Sequence, residues 1–165
     1  MVSRRFVVLF MVLAMVLLAV AGAYNMLNRP AGEVSFTLTA EEFGYNQSNG
    51  APTLRVKVGE KVTITIVNNG AETHETMVVT KETLALALDP TVAYGGEEGL
   101  DKALGHHIEP VFQGAATDEA EPGETSSMTF MANQPGNYVY GCFTDEPGII
   151  LHAFRGMWGE FRVES

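Results

Sequence analysis

The chain has 165 residues, 46% of them hydrophobic, with twenty acidic side chains against ten basic ones and a net charge of −10. That length suits one domain with its own hydrophobic core. The acidic balance argues against a nucleic-acid binder, which needs basic patches. A single cysteine excludes an internal disulfide and leaves one thiol to explain.

Arg4 and Arg5 precede an unbroken apolar run over residues 6–23, FVVLFMVLAMVLLAVAGA. A charged start, an apolar stretch and small residues at Ala21-Gly22-Ala23 describe a secretory signal. Eighteen apolar residues are also long enough to cross a bilayer as an uncleaved helical anchor. Either way the remainder is expected outside the cytoplasm, in the periplasm or on the outer face of the cell membrane, with the arginines inside. Setting those two arginines aside takes the charge from −10 to −12, which favours solubility and a basic partner face. Residues 24–32 read as a linker, and 33–165 as one domain.

Within that domain Val34 to Thr39 alternates apolar and polar, as a half-buried strand does. Residues 42–46 extend its edge, and QSNGAP turns the chain. Leu54–Val58 and Lys61–Val67 are two more strands around Gly59-Glu60. Asn68-Asn69-Gly70 is a turn signal, with a strand from Thr76 to Thr80. Glu82–Leu88 has helical spacing. Residues 89–122, rich in Gly, Pro and acids, read as irregular, with short helices or a strand near Ile108–Phe112. Strands follow at Glu124–Met131, Asn137–Cys142 and Gly159–Val163. Short strands separated by turns predict an all-β antiparallel sandwich or barrel.

The chemistry gathers near the C-terminus, in GCFTDEPGIILHAFRGMWGEF. Cys142 ends a strand, His152 follows ten residues later, and Met157 five after that. A thiolate is a strong soft ligand, imidazole suits copper, zinc or iron, and a thioether binds soft metals weakly. The set therefore favours copper over zinc. His74, between a turn and a strand, supplies the missing strong ligand. Two histidines and a cysteine in a trigonal array, with a weak axial methionine, make a blue-copper electron-transfer centre. Each residue also has a plainer reading: an inert buried thiol, a surface histidine, a methionine filling the core. Cys142 and His152 as nucleophile and base, or the site as that of a copper carrier or chaperone or of a copper redox enzyme, are the competing functions. His106-His107 is a further, weaker metal candidate.

At this point the domain resembles the cupredoxins, the blue copper proteins that include plastocyanin, azurin and auracyanin. The resemblance covers nearly all of residues 33–165. Tyr45, Gly59-Glu60, Val62–Val67, Asn68 and His74 look like the family's first half. Pro122-Gly123-Glu124, Phe130 and Pro135 to Cys142 look like the approach to its ligand loop, which also resembles that of copper nitrite reductases. The resemblance implies a Greek-key sandwich of about eight strands behind the N-terminal hydrophobic helix. It implies one copper ion on His74, Cys142, His152 and Met157, and one-electron transfer with redox partner proteins rather than catalysis. Nucleic acid has no place in it. It implies too that His152 lies nearest the surface, with Phe143, Ile149, Ile150, Phe154 and Trp158 as candidates for an apolar docking rim or the packing beneath. Two departures stand out: Glu75 replaces the asparagine that often follows the first histidine and ties the two loops, and residues 81–122 are longer than a minimal member needs.

Overall fold

The computed structural model describes residues 31–46, 51–145 and 150–165. The apolar run over 6–23, most of the expected linker and the tip of the QSNGAP turn lie outside the described residues. Among the described residues no helix is long and apolar enough to cross a membrane. Residues 31–165 form one compact unit.

Among the described residues eight strands make two four-stranded sheets. They are β1 (Glu33–Glu41), β2 (Gly44–Tyr45), β3 (Leu54–Lys57), β4 (Lys61–Asn68), β5 (Met77–Val79), β6 (Thr125–Met131), β7 (Gly136–Gly141) and β8 (Trp158–Glu164). One sheet runs β2-β1-β4-β6 and the other β3-β8-β7-β5. The β1–β4 and β3–β8 pairings are parallel, so the sheets are mixed rather than purely antiparallel.

Period-two alternation sets the layers. In β4, Val62, Ile64, Ile66 and Asn68 point inward while Lys61, Thr63, Thr65 and Val67 face outward. The outward hydroxyls pair across to β6, Thr63 with Thr129 and Thr65 with Ser127. Between the sheets Phe112, Phe130, Tyr138 and Phe161 stack edge and face around the core.

Strand β5 is buried at every position, because a second layer covers the outer face of its sheet. That layer is three short helices, α1 (Lys81–Ala87), α2 (Pro90–Ala93) and α3 (Gly96–Leu104). The Thr80 hydroxyl caps α1, and the Asp89 carboxylate caps α2 with Pro90 behind it. Leu84, Ala87, Leu100 and Ile108 pack there against Met77, Val79, Val139, Phe143 and Leu151 as a separate core. The expected helix at Glu82–Leu88 is present. Of the short helices or strand expected in the segment after it, the helices are present, whereas Ile108–Phe112 is not a strand: Ile108 and Phe112 are buried anchors of an irregular path.

Candidate metal centre

The first half of the site is held by side chains rather than by regular structure. Buried Asn68, at the end of β4, donates its amide to the carbonyls of Glu72 and Ala120 and accepts from the Gly70 N–H. His74 then exchanges two backbone hydrogen bonds with Ala120. Tyr45 hydroxyl bonds Thr76 Oγ1 at 2.7 Å and the Glu75 carbonyl at 3.3 Å. A buried asparagine and a buried tyrosine thus pin the residues on either side of His74.

The second half is the loop after β7. Cys142 N–H donates to the Met157 carbonyl and its own carbonyl accepts from Ala153, while His152 N–H reaches the Thr144 carbonyl. Residues 152–155 form a 3-10 turn closed by Gly156 in the left-handed region. The helical layer braces this loop. Ala93 at the end of α2 accepts from Leu151 N–H, and Asp145 accepts from Glu97 N–H at the start of α3. Gly96 has φ +62°, which favours glycine, and the Asp145 carboxylate lies where a Cβ would stand, so any side chain there would push that carboxylate off the Glu97 N–H.

These two halves bring three ligand atoms together. His74 Nδ1 and His152 Nδ1 are 3.2 Å apart, and Cys142 Sγ lies 3.4 Å from His152 Nδ1 and 3.9 Å from His74 Nδ1. All three residues are fully buried. Three donors at ordinary metal–nitrogen and metal–sulfur lengths in a trigonal plane stand about 3.5–3.8 Å apart. The observed spacings bracket that range, so the set fits one ion.

The electrostatics agree. Burial pushes the Cys142 thiol up to about 12, against hydrogen bonds from Thr144 and from the Glu75 and Thr144 backbone N–H groups that favour the thiolate. Burial, then the neighbouring His74 and Arg155, pulls His152 down to about 4, and burial lowers His74. Two imidazoles that burial keeps neutral and a buried thiol with hydrogen-bond donors on its sulfur are groups that could hold a cation. The same numbers argue against a catalytic nucleophile, since a fully buried thiol pushed to about 12 is poorly poised to attack a substrate.

Met157 is fully buried in the same core as Cys142, with its backbone bonded to both Cys142 and His152. The Glu75 substitution has a structural counterpart: its carboxylate accepts from the Phe143 backbone N–H, a link between the two loops. Burial, then the charges of Glu97 and Glu119, pushes that carboxyl up to about 7. His106 and His107 are exposed, with His107 Nδ1 on Asp101 at 2.5 Å and His106 on the His107 carbonyl. Neither is among the groups gathered at Cys142.

Three neighbours of the site carry no sequence signal. Thr144 Oγ1 is 3.0 Å from Cys142 Sγ. Phe43, from the turn between β1 and β2, meets the His152 ring edge-on at 5.3 Å, and Arg155 lies 3.2 Å over the Phe43 centroid. His152 therefore has no exposed surface of its own. Of the rim candidates, Phe143 is buried under the helical layer, and Phe154 and Trp158 are half-buried against it. Ile150 is half-buried, and Ile149 lies outside the described residues.

No protein-family profile matches the chain. A segment of 51 residues, 31% of the chain, is 43% identical to copper-containing nitrite reductases of Neisseria meningitidis and Neisseria gonorrhoeae. The match spans only about an eighth of those enzymes, 13% and 12% of their length. Among solved structures, the reduced auracyanin of Roseiflexus castenholzii aligns over 79% of this chain and 97% of its own, at 24% identity and TM-score 0.55. Auracyanin A of Chloroflexus aurantiacus, a blue copper protein, aligns over 81% and 100%, at 24% identity and TM-score 0.53. Two mixed sheets, their strand order and the near-complete coverage of those structures give this chain the cupredoxin fold.

Proposed function

We propose that the domain carries single electrons on one mononuclear copper ion held by His74, Cys142 and His152, with Met157 as the weak axial ligand. The observation that carries this reading is the convergence of Cys142 Sγ and two histidine Nδ1 atoms within 3.9 Å in a fully buried site. The thiolate and imidazole set, with a buried methionine in the same core as Cys142, favours copper over zinc. Two structures of the same fold are auracyanins, and a 51-residue segment is similar to copper-containing nitrite reductases.

Copper would supply a couple between Cu(II) and Cu(I). The chain's own residues do the rest. Asn68 and Tyr45 fix the His74 loop, α2 and α3 brace the ligand loop, and the backbone N–H groups of Glu75 and Thr144 stabilise charge on the sulfur. A donor set already in place changes little between oxidation states, which suits electron exchange over catalysis. We place the domain outside the cytoplasm, exported or anchored by residues 6–23, where it exchanges electrons with partner proteins.

The test is the full chain loaded with Cu(II). An intense thiolate-to-copper absorption is expected, and Cys142→Ser should abolish it. A Cys142→Ser protein that keeps the band removes the ligand assignment.

A further inference from the structure

We propose that Phe43, clamped by Arg155, is the wall that separates the His152 ligand from solvent and limits how closely an outer-sphere electron donor can approach. The electron-transfer part rests on the copper reading above; the exclusion of solvent does not.

Three observations converge on this residue. The first is what Phe43 covers. A histidine that binds an ion through Nδ1 carries a proton on Nε2, yet His152 Nε2 is buried and has no hydrogen-bond partner among the described residues. Buried polar groups are ordinarily satisfied, so an imidazole nitrogen shut off from the surface calls for a side chain that covers it. The Phe43 ring, edge-on at 5.3 Å with planes at 74°, is in place to do that.

The second is how Phe43 is held. Its ring belongs to neither hydrophobic core, so burial in the sandwich does not account for its position. The Arg155 guanidinium lies 3.2 Å over its centroid instead. Arg155 is three residues after His152 on the same 3-10 turn. One short element therefore carries both the ligand and the clamp that keeps the ring on it.

The third is the backbone. Phe43 has φ +60°, in the left-handed region that bulky side chains seldom occupy. The neighbouring backbone fixes it there: Asn46 N–H donates to the Thr39 carbonyl, Asn46 Oδ1 accepts from Thr39 N–H, and Glu41 pairs with Gly44. Strained residues held by their surroundings concentrate at functional sites.

Two measurements on the full chain separate the parts of the proposal. In the metal-free protein, diethyl pyrocarbonate acylates accessible neutral imidazoles, and mass spectrometry reads each histidine. Exposed His106 and His107 serve as internal references. His152 should resist in the wild type and react severalfold faster in Phe43→Ala, with Phe43→Tyr restoring protection. In the copper-loaded protein, one electron passes from hexaammineruthenium(II) to the site, leaving ruthenium(III) and Cu(I). Phe43→Ala should speed that step severalfold and lower the potential, because water reaching the imidazole favours the more highly charged oxidised site. Arg155→Gln should move each quantity the same way by less, and it decides the matter if Phe43→Ala does not fold. Wild-type acylation of His152 at the rate of His106 overturns the wall, as does Phe43→Ala, or Arg155→Gln in its place, at wild-type values. Protection lost in Phe43→Ala without a thiolate band in the wild type would sink the copper reading and the electron-transfer part while leaving the wall standing.

Discussion

Replacing Thr144 with valine removes one hydroxyl and little volume from a point 3.0 Å from Cys142 Sγ. The same hydroxyl lies 3.3 Å from His152 Nδ1; with copper bound that lone pair is taken, which leaves the sulfur as its acceptor. A hydrogen bond to a charged group contributes about 1.5–3 kcal/mol. The sulfur keeps more of its negative charge when the metal is Cu(I), so the bond is stronger in the reduced state and raises the potential. If close to half of it is specific to that state, its loss is about 1 kcal/mol. A tenfold change, about 1.4 kcal/mol, corresponds to about 59 mV for one electron. Thr144→Val should therefore lower the potential by about 40 mV. The backbone N–H groups of Glu75 and Thr144 remain on the sulfur and keep the shift from being larger. A potentiometric titration followed by the visible band measures it, with Thr144→Ser expected within experimental scatter of the wild type. An unchanged or higher potential in Thr144→Val refutes the reasoning, since the hydroxyl would then not be donating to the thiolate.

Met157→Leu should keep the copper and raise the potential, because a weak donor to the oxidised metal is lost; a potential that stays level or falls, read by the same titration, argues against an axial ligand. Gly159→Ala would drive a methyl into the Tyr140 ring, whose hydroxyl is fixed on the Pro52 carbonyl at 2.7 Å, and should cost about 1–3 kcal/mol, seen as a lower Tm. In the metal-free protein two groups oppose each other on acidification. His152, depressed to about 4, makes the unfolded chain take up the proton first, so stability falls as pH drops through the range below 6.5. Glu75, raised to about 7, protonates first in the folded chain, so its contribution grows as pH drops from 7 toward 4.5. Glu75→Gln removes the second effect and should steepen the loss of stability over that window in urea titrations of the metal-free chain; an unchanged slope contradicts it.

The strands were legible because the sandwich imposes a strict period of two. Lys61–Asn68 and Thr125–Met131 show it without interruption, and their hydroxyl rows mark the outer face. The gathering of His74, Cys142 and His152 was legible because thiol and imidazole are chemically distinctive even at long separation. The helices at 90–104 were obscured by Pro90, Gly95, Gly96 and Gly99, which look like loop punctuation. Pro90 opens a helix, and Gly96 makes room for the Asp145 carboxylate. The length of that segment has its explanation in the bracing of the ligand loop. Phe143 could not be assigned to rim or core from sequence, because helical spacing does not say which face of the sandwich the helices cover. Phe43 and His152 are more than a hundred positions apart, and nothing about an aromatic in a turn announces a ligand beneath it. The loop tie expected of an asparagine is made here by a carboxylate.

The central claim is that one soft ion takes the two Nδ1 atoms and the sulfur together. Electron spin resonance of the full chain, titrated with Cu(II), tests this most directly. One equivalent should bind and give the narrowed copper hyperfine splitting of a strongly covalent thiolate site. A wide splitting, of the kind nitrogen and oxygen ligands alone produce, would mean that Cys142 is not on the metal.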